Sequence, residues 1–381
     1  MKKGDLAKLK KDETINAEGN VKIGRVYLSS EFLGSPRHQQ KLVADALAIV
    51  KRYGKPTYFI TMSCNPKWTE ITSHLLPGQT AADRPDITVR VFKGKLADLF
   101  KIILKALKCK KFVYRIHVIE FQKRGLPHAH IAIKVDNEPK TSEEIDAVIS
   151  ARMPDNNSKL RKIIESLYVH SCRPERCHKK QKQEKTYRIP VCDQGYPHAL
   201  CQKTFIDEAG FVHYKRTAEE DRSIVSYNPH LTFGLECHIN VDIAHTVLLI
   251  MYLYKYFYKG VDHTRVRLDV DDEISEYQDT RYLSSSEGAW RFLGFETTRR
   301  IPSVDGYPVH VDKGNYVVFN KGKGEDALST LSKLERYFLR PKELIFDNIK
   351  YLEYYEQYMV TATVPLHPAR ISRKPSTCIR I

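Results

Sequence analysis

Two β-branched and aromatic segments separated by a Gly-Pro turn constrain the fold of this chain most strongly. The segments are FVYRIHVIEFQ (residues 112–122) and HAHIAIKV (residues 128–135), and KRGLP (residues 123–127) joins them. Val, Ile, Phe and Tyr favour strands, whereas Gly with Pro favours a turn. Two strands joined by five residues predict a β-hairpin, and therefore an antiparallel sheet.

The predicted hairpin brings a pair of histidines together with a carboxylate. Residues i and i+2 of a strand point to the same face, so His128 and His130 are expected to lie side by side. Glu120 and Gln122 have the same spacing and are expected across the turn from them. Imidazole nitrogens with a carboxylate or amide oxygen suit Mn²⁺ or Mg²⁺ bound together with a phosphate. The alternative is two surface histidines on an amphipathic strand.

Positive charge surrounds this hairpin. Residues 101–124 hold eight Lys and Arg but one acid, Glu120, and the chain has 62 Lys+Arg against 46 Asp+Glu, a formal charge of +16. So large a charge on a folded chain favours a polyanionic partner. The 22 tyrosines beside so many lysines suit a nucleic acid at least as well as an acidic protein.

An apolar segment further along the chain is rich in tyrosine. Residues 243–258 (IAHTVLLIMYLYKYFY) are predicted to form a helix on which Tyr252 and Tyr256, at i and i+4, share a face. Lys255 and Lys259 each follow one of these tyrosines by three residues. A phenol with a pKa of about 10 is a poor nucleophile at neutral pH. A nearby lysine favours the phenolate and stabilises a phosphorane transition state. The alternative is an ordinary core helix.

A Cys- and His-rich segment lies in the middle of the chain. Cys172, Cys177, Cys192 and Cys201 fall within an irregular basic stretch at residues 170–201. Four thiols can bind structural Zn²⁺, although their spacing is not that of a tight CxxC…CxxC site. The alternative is a set of reduced cysteines in a basic loop that touches DNA. Elsewhere, residues 70–93 are expected to be loop and residues 95–109 helix.

Three segments, in this order, resemble the HUH endonuclease domain of Helitron rolling-circle transposases. They are PTYFITMSCNPKWTEI (56–71), HVIEFQKRGLPHAHIAI (117–133) and YLYKYFYKG (252–260). Two further stretches are similar to the same family, SYNPHLTFGLECHINVDI (226–243) and EISEYQDTRYLSSSEGAWRFLGF (273–295). The resemblance therefore covers most of the chain.

The resemblance implies an α+β fold. An antiparallel sheet with helices on one face, similar to an RRM-like plait, would form the nuclease core, followed by a smaller C-terminal mixed α/β region. We expect a flexible basic lead-in at residues 1–26 and an HUH endonuclease-like domain at residues 27–262. That domain would contain the Cys/His-rich insertion at residues 170–201, and residues 263–381 would form an accessory region.

The activity that the resemblance implies is metal-dependent nicking and strand transfer on single-stranded DNA in DNA transposition by rolling-circle replication. His128 and His130 would bind the metal, with Glu120 or Gln122 as the third ligand. One tyrosine of the predicted helix would attack a DNA phosphate and give a 5′-phosphotyrosine and a free 3′-OH. The second tyrosine could accept a second strand.

Three rival functions are open at this point. One is a non-catalytic nucleic-acid-binding domain from a truncated or domesticated transposon copy. Another is a scaffold that binds protein partners, which would expose apolar patches. The third is a hydrolytic metallonuclease that leaves no covalent adduct.

Partners and location follow from the same resemblance. The expected partners are single-stranded DNA and the helicase domain of longer family members. The chain has no GxxxxGK[ST] motif, so no ATPase activity is expected of it. The apolar run at residues 247–254 is too short to span a bilayer, and no membrane partner is expected. The expected location is the nucleus in a eukaryote and the cytoplasm otherwise.

Overall fold

The computed structural model describes twelve stretches of the chain. They are residues 30–32, 35–121, 125–155, 158–173, 177, 192–244, 283–312, 314–315, 331–340, 342, 344–357 and 377–380. The chain divides into two compact units. We name residues 53–256 with 283–301 the sheet unit, and residues 1–52 with 257–282 and 302–381 the second unit.

The described residues form both helices and strands. The helices are α1 (Pro36–Tyr53), α2 (Thr69–Thr72), α3 (Pro85–Ala106), α4 (Ser142–Asp146), α5 (Lys159–Leu167), α6 (Pro229–Leu235), α7 (Ser285–Phe292), α8 (Lys333–Phe338), α9 (Leu344–Asp347) and α10 (Tyr351–Gln357). The strands are β1 (Tyr58–Ser63), β2 (Phe112–Phe121), β3 (Pro127–Val135), β4 (Phe205–Ile206), β5 (Val212–His213), β6 (Ile239–Ile243), β7 (Thr298–Ile301), β8 (Ser303–Gly306) and β9 (Thr377–Arg380).

A five-stranded antiparallel sheet forms the centre of the sheet unit. Its strand order is β6-β1-β3-β2-β7, so the predicted hairpin, β2 and β3, lies at the centre. Gly125, in the turn between them, has a φ of +77°, a backbone conformation that glycine adopts without a steric penalty. The two strands pair Glu120 with His128, and the register of β1 on β3 pairs Ser63 with His128.

One face of this sheet is buried beneath helices. Alternate apolar residues of β1, β3 and β6 join one core with residues of α3, α6 and α7. Phe92, Leu99 and Ile103 of α3 are fully buried in it, at a spacing that places them along one side of a helix. The predicted fold class is thereby confirmed: the unit is α+β, with an antiparallel sheet and helices packed on one face.

The structure corrects one expectation for this layer. Helix α3 begins at Pro85, so part of the stretch expected to be loop at residues 70–93 is helical. Proline is well tolerated at the first helical position because its missing N–H needs no partner there. Val89 and Phe92 in the first turns are completely buried. Packing against the sheet therefore stabilises helical turns in a stretch that the sequence analysis expects to be loop.

Asn228 joins three segments beneath the sheet. Its Oδ1 accepts a hydrogen bond from the backbone N–H of Leu231 (3.0 Å) and caps α6. Its Nδ2 donates to the carbonyl oxygens of Ala106 (2.9 Å) and Val148 (2.7 Å). The side chain is 1% exposed, so these bonds satisfy groups that water does not reach.

The second unit has a separate small core. Phe346 and Tyr354 are buried in it, with Tyr337, Ile349 and Tyr355 packed around them. Strands β8 and β9 pair in parallel, and α8 and α10 are in contact. This mixture of helices and strands agrees with the C-terminal mixed α/β region expected from the sequence. Among the described residues, no helix has the length and apolar character needed to cross a membrane.

Burial of His117 makes the stability of the sheet unit depend on pH. His117 lies on the helix-covered face, 6% exposed, with its ring 5.2 Å from that of Phe100. Burial, with Arg115 and Arg299 nearby, lowers its pKa from 6.5 to about 3. Between pH 6.5 and about 3 the unfolded chain therefore binds a proton here that the folded chain does not, and stability falls as the pH falls.

We expect His117→Leu to remove this part of the pH dependence. One pKa unit corresponds to about 1.4 kcal/mol, so the wild type should lose about 2 kcal/mol at this group between pH 6.5 and pH 5. Urea unfolding of wild type and variant at both pH values measures the difference. Equal pH slopes for the two proteins would show that folded His117 takes up the proton as readily as the unfolded chain.

Candidate active site

The sheet face opposite the helices carries polar side chains from four neighbouring strands. They come from β1 (Thr61, Ser63), β2 (Glu120), β3 (His128, His130) and β6 (Asn240, Asp242). They share this face because side chains alternate along a strand, while the residues between them enter the apolar core. The sequence predicted the members from β2 and β3, and the tertiary structure adds those from β1 and β6.

His130 and Glu120 contact each other at the centre of this face. His130 Nε2 lies 3.0 Å from Glu120 Oε2, and the two side chains are 4% and 15% exposed. The His130 ring also stacks on Phe59, with the ring centroids 6.1 Å apart. This contact is a hydrogen bond. An octahedral ion with bonds of about 2.1 Å would also place adjacent ligands about 3.0 Å apart, so the two atoms are close enough to bind one Mg²⁺ or Mn²⁺ together.

His128 lies beside this pair and is oriented by a hydroxyl. Its Nδ1 lies 2.9 Å from Ser63 Oγ, which leaves Nε2 as the nitrogen available to a metal when Nδ1 carries the proton. Burial, and then neighbouring His130, lower the pKa of His128 to about 4. The ring is therefore neutral at pH 7, the form that binds metals. The donor set of His128, His130 and Glu120 fits a hard divalent ion.

The contact with Ser63 leads to a testable expectation. We expect Ser63→Ala to weaken Mn²⁺ binding about 10- to 100-fold, because the hydroxyl that orients the His128 ring is lost. The loss of the Mn²⁺ electron paramagnetic resonance signal on titration measures the affinity. Ser73→Ala is the matched control, since Ser73 Oγ makes the same kind of contact, 3.0 Å from Nδ1 of the exposed His74. Equal affinities for the two variants would contradict the expectation.

Several predicted site residues lie outside the described residues. They are Gln122, Tyr252, Lys255, Tyr256 and Lys259. Of the two candidates for the third metal ligand, Glu120 is therefore the one whose position is described. The predicted roles of the tyrosines and lysines stay predictions from the sequence.

A hydrogen-bonded carboxylate on β6 was missed by the sequence reasoning. Asp242 accepts from Ser226 Oγ (2.6 Å), Asn240 Nδ2 (2.9 Å) and Tyr214 OH (3.3 Å). Burial raises the pKa of this carboxyl. The signal available in the sequence was the alternation of INVDI (239–243), which sets Asn240 and Asp242 on one face as HAH sets the two histidines.

Two stretches that carry the family resemblance separately meet at one end of the sheet. Asn65 Nδ2, in CNPKW, donates to the carbonyl oxygen of Glu236 (2.6 Å) in FGLECH. Trp68 is 3% exposed, and its Nε1 donates a hydrogen bond to the carbonyl oxygen of Leu235 (2.8 Å). Glu236 has a φ of +49°, so the chain leaves α6 in a left-handed turn and its carbonyl is held by Asn65. These residues join the end of β1 to the start of β6.

The Cys/His-rich segment forms a cluster that differs from the predicted one. Ligand atoms of His170, Cys172, Cys177 and Cys192 all lie within 4.8 Å of one another. Cys201, the fourth thiol of the prediction, is elsewhere: its Sγ donates to the carbonyl oxygen of Tyr214 (3.0 Å), and its backbone pairs with that of Arg216. His170 therefore takes the place that the sequence reasoning assigned to Cys201. Within the described residues, the hairpin side chains do not form so compact a group.

The fold and the polar face together define a class of protein, an antiparallel α+β domain with a histidine pair on a central hairpin. Comparison with known families narrows this class. Residues 1–133 match the family described as the Helitron helicase-like domain at the N-terminus, a range that includes Glu120, His128 and His130. This match supports a Helitron-related protein, in agreement with the resemblance found in the sequence over these residues. No match was found among curated proteins.

Proposed function

We propose that this protein nicks and transfers single-stranded DNA for a Helitron-type transposon. The match to the Helitron helicase-like domain indicates a Helitron-related transposase. The observation that carries the finer proposal is the 3.0 Å contact between His130 Nε2 and Glu120 Oε2, with His128 on the same sheet face. A protein that only binds DNA and does not cleave it has no need for this set of metal-ligating side chains.

In the proposed reaction His128, His130 and Glu120 would hold one Mn²⁺ or Mg²⁺, which would supply positive charge to polarise a DNA phosphate. Ser63, in contact with Nδ1, would favour the His128 tautomer whose Nε2 is free to bind the ion, and stacking on Phe59 orients the His130 ring. The formal charge of +16 favours binding of the DNA backbone.

The proposed nucleophile is Tyr252 or Tyr256, an assignment that comes from the sequence. The phenol oxygen bonds to phosphorus and the bond to the 3′ oxygen breaks, which gives a 5′-phosphotyrosine and a free 3′-OH. Lys255 and Lys259 would favour the phenolate and stabilise charge in the transition state. The phosphotyrosine conserves the energy of the phosphodiester, so rejoining needs no ATP.

Covalent capture of DNA tests the proposal. Purified protein is incubated with Mn²⁺ and single-stranded oligonucleotides labelled at the 5′ or 3′ end, and the products are separated on a denaturing gel. We expect the 3′ label to migrate with the protein, and the adduct to be lost in Tyr252→Phe or in Tyr256→Phe. Tyr258→Phe is the matched control, because it removes a phenol from the same segment but not from the face shared by Tyr252 and Tyr256.

The other outcomes identify the rival functions. Cleavage without an adduct would indicate that water is the nucleophile, as in a hydrolytic metallonuclease. Binding without cleavage in every metal tested would indicate a non-catalytic nucleic-acid-binding domain. Either result would overturn the proposed strand transfer.

A further inference from the structure

A second cluster of metal-ligating side chains lies in the sheet unit and has no part in the proposed nicking reaction. Its members are His170, Cys172, Cys177 and Cys192. Cys177 and Cys192 are buried, His170 is half-buried and Cys172 is exposed. The thiols are free rather than joined in disulfides. Three sulfurs and one imidazole nitrogen are a common donor set for structural zinc.

The distances within this cluster agree with tetrahedral coordination. His170 Nε2 lies 3.4 Å from Cys192 Sγ and 3.7 Å from Cys177 Sγ. A tetrahedral Zn²⁺ with Zn–S near 2.3 Å and Zn–N near 2.05 Å places nitrogen and sulfur about 3.6 Å apart. The imidazole nitrogen and these two sulfurs therefore have the spacing that the ion would require, and all four ligand atoms lie within 4.8 Å of one another.

Backbone hydrogen bonds and a ring contact hold His170 and Cys177 in place. His170 N donates to the carbonyl oxygen of Ser223 (2.8 Å), and Asp193 N donates to that of Cys177 (2.6 Å). The His170 ring stacks on Tyr196, with the centroids 4.1 Å apart and the planes 14° apart. Stacking of this kind fixes the orientation of a ligating ring before the metal binds. Residues distant in sequence are thus arranged around one point.

We propose that His170, Cys172, Cys177 and Cys192 bind one structural Zn²⁺ ion. Four protein ligands leave no open position for a substrate, which distinguishes this site from a catalytic zinc site. The ion would connect the chain after α5 to the segment that begins at Cys192. This proposal does not depend on the proposed nuclease activity, because none of its four ligands lies on the polar sheet face.

The cluster also has a consequence for the rest of the sheet unit. His170 follows Tyr168 by two residues, and Tyr168 OH donates to the carbonyl oxygen of Cys237 (2.8 Å) and accepts from the N–H of Ile239 (2.7 Å). Ile239 is the first residue of β6. Metal at His170 would therefore limit the motion of a segment that is hydrogen-bonded to this edge of the sheet.

Metal analysis of the purified full chain, with any affinity tag removed, tests the proposal. We expect one zinc per chain in the wild type by inductively coupled plasma mass spectrometry, and loss of zinc in Cys177→Ser. Cys201→Ser is the matched control and should retain the zinc, since its thiol lies outside the cluster. Chelation should lower the melting temperature of the wild type and of Cys201→Ser but not that of Cys177→Ser.

Cobalt substitution keeps the test decisive if Cys177→Ser fails to fold. The Co²⁺ form of the wild type should show the visible bands of a tetrahedral site with three thiolates and one imidazole. His170→Cys should bind Co²⁺ as well, with the bands shifted to those of a four-thiolate site. Three results would overturn the proposal. They are a zinc content well below one per chain, loss of zinc in Cys201→Ser alone, and a disulfide between cluster cysteines in the unreduced wild type.

Discussion

His130→Ala is expected to lower the rate of single-strand nicking about 10²- to 10³-fold, the effect of removing one preorganised group that acts on transition-state charge. His130 is buried and its Nε2 lies 3.0 Å from Glu120 Oε2, so truncation to alanine removes a proposed metal ligand from the polar face. Affinity for single-stranded DNA should change much less, because phosphate contacts dominate it. Initial rates with labelled oligonucleotide and saturating Mn²⁺, together with fluorescence anisotropy, separate the two effects.

The chain provides a matched control for this experiment. His213 Nε2 lies 2.9 Å from Asp207 Oδ2, the same kind of pair at nearly the same distance, but His213 is exposed and lies on β5, outside the five-stranded sheet. His213→Ala should nick at the wild-type rate. Glu120→Gln keeps the side-chain volume and should also nick more slowly than the wild type. It therefore tests the polar face even if His130→Ala is unstable. Equal rates for all three variants would show that the polar face does not carry the reaction.

Trp290→Ala is expected to lower the free energy of unfolding of the sheet unit by about 3–5 kcal/mol. Trp290, on α7, is 2% exposed, and its ring lies 5.9 Å from that of Phe121 and 5.2 Å from that of Phe295. Truncation to alanine leaves a cavity where α7 contacts α3 and the end of the central hairpin. Urea unfolding followed by far-ultraviolet circular dichroism measures the change.

Phe292 provides the comparison within the same helix. Phe292 is 91% exposed, so Phe292→Ala should change the free energy of unfolding by less than about 0.5 kcal/mol. Both substitutions remove one aromatic ring from α7, and burial is the main difference between them. Similar losses for the two variants would mean that Trp290 does not pack as the structure describes.

The central hairpin was predictable because its determinants are local. The β-branched and aromatic residues of 112–122 and 128–135, and the turn between them that contains Gly and Pro, predict β2, β3 and their pairing without reference to the rest of the chain. Glu120 and Gln122 were expected roughly opposite the two histidines; in the structure Glu120 pairs with His128 and contacts His130, and Gln122 lies outside the described residues. Their role as metal ligands stays a prediction.

The neighbours of the hairpin were not predictable in this way. Strand β1 precedes β3 by about 70 residues and β6 follows it by more than 100, so their pairing depends on which arrangement buries the apolar face. The contact of Ser63 with His128 is a product of that pairing. No spacing rule connects a serine in one strand to a histidine so far along the chain.

The zinc-ligand candidates show the same division. The sequence determined which side chains were available, namely the four cysteines and several histidines of residues 170–201, and it determined the hairpin with its histidine pair. The tertiary structure decided that His170 joins three of the thiols and that Cys201 bonds to Tyr214 instead. The physical reason is that strand alternation and turns act between near neighbours, whereas distant residues meet where burial and backbone hydrogen bonding together are most favourable.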